Sequence, residues 1–104
     1  MTKRLSFNEW TVSGTVFYIR ELDGEFKASV KVRGEAQRPN LYSTQILEFG
    51  CLLPDNVYKD ALKKGLALHK DVNFSGHLET WTRTINGKVK SKVMFVADYV
   101  LDIN

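Results

Sequence analysis

One stretch of this chain, Pro54 to Gly65, has helical spacing, and nearly everything on either side of it alternates as β-strand. Val57, Tyr58, Ala61 and Leu62 fall on one helical face and Lys59, Asp60, Lys63 and Lys64 on the other, the pattern of a short helix lying on a core. Asp55 suits the N-cap, where a carboxylate accepts from the first unpaired amides. Gly65 suits the left-handed position just past the helix end. A chain of 104 residues with a single short helix must build its core from strands packed on strands.

Five extended runs are legible. Asn8 to Leu22 is rich in Trp, Thr, Val, Phe, Tyr and Ile, and Gly14 inside it predicts a bulge or sharp bend. Asp23-Gly24 follows as a hairpin signal. From Glu25 to Ala36 the period is two: Phe26, Ala28, Val30 and Val32 on one side, Lys27, Ser29, Lys31 and Arg33 on the other. Gln37 to Leu41 reads as a loop and Tyr42 to Leu53 as a third strand. Past the helix, Val72 to Ile85 and Lys88 to Ile103 are joined by Asn86-Gly87, a type I′ turn signal. Three strands, a helix and a hairpin, with a bent first strand, is the element order of the five-stranded oligonucleotide/oligosaccharide-binding (OB) barrel, an all-β fold with one helix between strands three and four. Residues 1–104 are read as one such domain, able to fill one core with 43% apolar residues, among them two Trp, four Tyr and six Phe.

The hairpin turn fixes which residues share a face. With a two-residue turn, Ile85 faces Lys88, Arg83 faces Lys90 and Trp81 faces Lys92. The opposite face carries Leu78, Thr80, Thr82 and Thr84 against Val89, Ser91, Val93 and Phe95, and it continues Val72, Phe74 and Gly76, so it reads as the core side. The Trp81 face is then the outer one, with four positive charges. Lys27, Lys31 and Arg33 repeat the arrangement on the second strand. A net charge of +3 and a pI near 9.1 say little alone; two basic rows on the faces where an OB barrel holds its ligand say more. Phosphates need diffuse positive charge, and unpaired bases stack on aromatic rings. Trp81 is the first stacking candidate and Tyr42 the second, with Tyr18, Phe17 and Trp10 behind them because their facing depends on the bulge. Arg38 in the loop joins the basic set, and Lys88, Lys90 and Lys92 could equally be the lysines that keep an exposed strand soluble.

Catalytic and metal chemistry find no foothold. Cys51, the sole cysteine, forbids an intrachain disulfide, points to a reducing, cytoplasmic setting and reads as a small buried residue. His69 and His77 have no metal-ligand spacing with each other or with Cys51. Asp98 and Asp102, four apart on a strand, read as solvated acids on one face. With no nucleophile–base pattern or phosphate loop, no enzyme, cofactor or metal is expected. No run reaches the ~20 apolar residues of a membrane span, and the Met1–Phe7 segment lacks the apolar stretch of a secretory signal.

Several short motifs together resemble the bacterial and phage single-stranded DNA-binding proteins. Ile46-Leu47-Glu48-Phe49-Gly50 is similar to that family's third strand, Leu62-Lys63-Lys64-Gly65 to its helix end, Phe74-Ser75-Gly76-His77-Leu78 to its fourth strand, and Val96-Ala97-Asp98-Tyr99-Val100 to the end of its fifth. The resemblance implies sequence-independent coating of single-stranded DNA in replication, recombination or repair, by a homodimer or homotetramer. It also implies stacking roles for Trp81, Tyr42 and Phe49, though Phe49 by itself reads more readily as core. Two departures stand out. Leu66 to Asp71 adds residues before the fourth strand, and a Tyr42-Ser43 pair stands where many members have tryptophan. The absence of a Gly/Pro-rich linker and acidic tip before Asn104 favours a phage, mobile-element or primosome-type relative. The competing expectations are a replication accessory that works through protein partners and a structural module whose basic face only maintains solubility. RNA stays open beside DNA as the ligand.

Overall fold

The computed structural model describes residues 9–37 and 44–104; the side chains of residues 35–37, 44, 45 and 81 lie outside that description. Its elements run β1 (Trp10–Glu21), β2 (Phe26–Gln37), β3 (Thr44–Pro54), α1 (Asp55–Lys63), β4 (Asp71–Ile85) and β5 (Lys88–Ile103). They close into a barrel in the order β1-β2-β3-β5-β4. This is the OB architecture expected from the element order. Strand β1 serves two neighbours: residues 10–15 pair with β4 and residues 15–21 with β2. Closure comes from one parallel contact, Leu52 of β3 beside Val96 of β5.

The bend and the bulge of β1 occupy different places. At Gly14 the strand passes from one neighbour to the other, and a Cβ there would stand 2.9 Å from the Arg33 carbonyl oxygen, so glycine permits the crossing. The bulge lies three residues on, at Phe17: Val16 opposes Val32 and Tyr18 opposes Lys31, leaving Phe17 unpaired. Of the bulge or sharp bend expected at Gly14, the bend between neighbours falls there and the bulge at Phe17.

Alternation supplies the core. Val16, Ala28, Val30, Leu53, Phe74 and Ala97 have no exposed surface, and Val57 and Ala61 of α1 close the barrel over them. The helix begins one residue earlier than Asp55 as N-cap would require. Pro54, extended at the end of β3, takes the capping position, so Asp55 becomes the first helical residue. Its carboxylate still suits the helix N-terminus and reaches Lys59 at 3.0 Å. The helix ends as its sequence indicates. Gly65 adopts φ +95°, its amide donates to Leu62 O, and the amide of Leu66 donates to Ala61 O, a Schellman pair that folds Leu66 into the core. The additional residues before β4 are tied to β1 at its crossing point, with the His69 amide donating to Val16 O at 2.8 Å and the Val16 amide to Lys70 O at 2.9 Å.

Cys51 is buried, and desolvation pushes its thiol up to about 12, which leaves it un-ionised at neutral pH. Among the described residues no helix is long and apolar enough to cross a membrane.

Candidate nucleic-acid interface

On β2 the predicted alternation holds: Ala28, Val30 and Val32 are buried while Lys31 and Arg33 are exposed. Lys27 is half-buried, in a second bulge between Phe26 and Ala28. Across the sheet Ser29 faces Leu52, Lys31 faces Gly50 and Arg33 faces Glu48. Gly50 leaves the sheet bare beside Lys31. Arg33 Nη2 meets Glu48 Oε1 at 3.0 Å, an exposed pair whose net worth is about 0–1 kcal/mol, so its main effect is to hold the guanidinium in place.

The bulge gives β1 a part in this surface. Because Phe17 is the extra residue, it and Tyr18 both project on the outer side, where Arg33 lies 4.4 Å above the Phe17 ring centre and Lys31 Nζ 4.8 Å above that of Tyr18. Sequence reasoning ranked these two rings low. A bulge is a backbone event, and a Val-Phe-Tyr run carries no mark of where it falls.

The β4–β5 hairpin has the expected register. Trp81 pairs with Lys92, Arg83 with Lys90 and Ile85 with Lys88, and Asn86 and Gly87 adopt φ 52° and 75° as a type I′ turn requires. Lys88, Lys90, Lys92 and Arg83 are exposed. The backbone thus places Trp81 among the four cations, while its side chain lies outside the described residues, as do Arg38 and Tyr42 altogether.

The other hairpin face differs from expectation. It is not the core side along its whole length: Val89 is 70% exposed and Val93 54%. The strands outrun the barrel. Strand β1 pairs with β4 only as far as Gly76, and β3 pairs with β5 only at Val96, so beyond them β4 and β5 pair with each other alone and, among the described residues, form a two-stranded arm. At the root of the arm, Trp10, Phe49 and Phe95 form an aromatic cluster with Phe49 4.9 Å from Trp10 and 4.8 Å from Phe95. Phe49 faces inward with Cys51 and Leu53 and packs on the core; it is apart from the outer basic row.

The outer side of the β2–β3 sheet and the arm meet in one place. A groove runs between Ser29, Gly50 and Leu52 on the β2–β3 side and Lys92, Met94 and Phe95 on the arm. Lys92 borders this hollow together with Gly50, the residue paired with Lys31, while Lys90, Lys88 and Arg83 continue the cationic face outward along the arm.

A further cluster escaped sequence reasoning. His77 Nδ1 lies 2.8–2.9 Å from both carboxylate oxygens of Asp98, and Nε2 lies 2.6 Å from Glu79 Oε2. Asp98 is thus a partner of His77 instead of a solvated acid. Bulges in β5 separate it from Asp102, since Gly76 pairs with Ala97 but Ser75 with Tyr99, and Phe74 with Val100 but Asn73 with Asp102. The hydrogen bond to Asp98 raises the His77 pKa above its ordinary 6.5, burial opposes this, and the bond to Glu79 adds to it. A protonated ring donates to both carboxylates; a neutral one has a single N–H. A raised folded-state pKa means that the stabilisation is complete below the unfolded value and is lost as pH rises through the folded one. Thermal melts from about pH 6 to 9 should therefore show wild type losing stability relative to His77→Gln as pH rises. Parallel profiles would show that the cluster contributes nothing.

Among the described residues no group of three His, Cys, Asp or Glu side chains could hold a metal ion. No family model matches the sequence, and no curated protein does. Solved structures do match in fold. A Plasmodium falciparum SSB in complex with ssDNA superposes with a TM-score of 0.61 at 19% identity, covering 99% of this chain and 96% of that one. A mitochondrial single-stranded DNA-binding protein from S. cerevisiae superposes with a TM-score of 0.60 at 11% identity, covering 93% and 92%. At these identities the likeness is one of fold: the chain has the closed five-stranded OB barrel that these structures have.

Proposed function

We propose that this chain binds single-stranded DNA without reading its sequence and catalyses no reaction. The observation that carries this reading is the groove in which the outer row of β2–β3 meets Lys92 of the arm, with the cationic faces of β2 and of the arm leading away from it. Such a surface offers phosphates diffuse positive charge, and its dependence on exposed lysines makes binding salt-sensitive through counterion release. Aromatic residues beside the charge, Phe17 and Tyr18 on β1 and Trp81 in the arm strand, suit unpaired bases, whose faces a duplex keeps stacked. The shared fold with a protein whose structure contains ssDNA supports the same reading. With it go a role in covering single strands during replication, recombination or repair, and assembly as a homodimer or homotetramer.

A tryptophan-fluorescence titration with a dT oligonucleotide at two salt concentrations, beside the matching duplex, tests the proposal. Quenching by the single strand that weakens with salt and is absent with duplex is the expected result. No binding at low salt retires the reading.

A further inference from the structure

The geometry points to a base-stacking site on the bulge of β1, formed by Phe17 and Tyr18 with Arg33 and Lys31 above them, separate from the groove at the arm. It rests on the proposed binding of single-stranded DNA and makes two rings that ranked behind Trp81 and Tyr42 in the sequence a defined site.

Strand alternation would place consecutive residues on opposite faces, so two adjacent aromatic side chains on the outer side require the bulge. Both rings are partly exposed, and among the described residues each carries a cation over one face, at 4.4 and 4.8 Å. The site therefore alternates π-surface and positive charge over the width of two strands, the combination that a nucleotide needs, with a ring for the base and a cation for the phosphate. The cations are fixed in advance. Arg33 is braced from the other side by Glu48 at 3.0 Å, and Lys31 lies along the bare strip at Gly50, its Cγ 3.4 Å from where a Cβ would stand.

There is also room for a base. A shallow cleft of about 420 Å³ opens beside the Phe17 ring, bordered by Arg33, Gly34, Ile46 and His69. Its size falls within the range of small-molecule sites. Ile46, 67% exposed, gives the far side an apolar edge. The ligand class that fits is an unpaired nucleobase with its 5′ or 3′ phosphate, read by its π-face and so without preference for sequence.

The test compares a dT oligonucleotide with an abasic deoxyribose-phosphate oligomer of equal length, which keeps the phosphates and lacks the bases. Wild type and a Phe17→Leu/Tyr18→Leu variant are titrated with each, and sedimentation gives the assembly state of both proteins. The variant should lose about tenfold in affinity for dT while holding its affinity for the abasic oligomer. Lys31→Ala/Arg33→Ala should weaken both. An unchanged dT-to-abasic ratio in the Leu/Leu variant overturns the bulge site alone, and if the assembly state shifts with it, the rings pack against a second copy instead. Wild type that binds neither oligomer overturns the bulge site together with the proposed function.

Discussion

Gly76→Ala is expected to destabilise the barrel by about 3 kcal/mol or more, at or beyond the upper end for overpacking. Strand β4 crosses closest to its neighbours at this residue. A Cβ would collide with the carbonyl oxygen of Val96, stand 2.8 Å from its carbonyl carbon and press into the Trp10 ring. None of these can readily give way. Val96 belongs to the parallel contact that closes the barrel against Leu52, and Trp10 is pinned by its Nε1–H, which donates to His77 O at 2.9 Å. In thermal melts a loss of this size lowers the midpoint by roughly 12–24 °C for a domain of this length. Gly34→Ala is the matched comparison: only ordinary contacts surround its Cβ position, and the change should stay within about 0.5 kcal/mol. Equal effects at the two glycines would contradict the packing described at the root of the arm.

Replacing Lys88, Lys90 and Lys92 together with alanine should weaken single-strand binding on the order of a hundredfold at low salt, taking about 1 kcal/mol per lysine. The three lysines are exposed and none belongs to the core, so the melting temperature should hardly move. Loss of three phosphate contacts also lowers the slope of log K against log salt by about 2, since each contact on a single strand contributes about 0.7. Affinity and slope that both stay at the wild-type values would assign the row to the other duty that lysines perform on open strands, keeping the arm from pairing with another edge.

Much of this architecture could be read from local pattern. Asn86-Gly87 set the hairpin register, because a two-residue turn leaves one pairing and a period of two does the rest. Gly65 marked the end of α1 because only its backbone freedom suits the left-handed position. The difficulties arose where a residue's surroundings depend on how far a distant strand extends. Val89 and Val93 alternate as core residues do, yet the pairing of β1 and β3 stops short of them, so they are exposed on the arm. Phe49, which by itself read as core and had a stacking role only from the resemblance, lies inward with Cys51 and Leu53. The basic residues were legible as a set, whereas the bulge that brings Phe17 and Tyr18 to them, and the bulge that turns Asp98 toward His77, have no signature in composition or spacing.

The most direct measurement is a map of backbone amide chemical shifts in the isotope-labelled protein as a dT oligonucleotide is added. Perturbations should concentrate on residues 15–20 of β1, 27–33 of β2, 50–52 of β3 and 81–92 of the arm, and leave α1 and the last residues of β5 unmoved. A perturbed α1 with silent β2 and arm would contradict the assignment of the outer basic faces as the surface that holds single-stranded DNA.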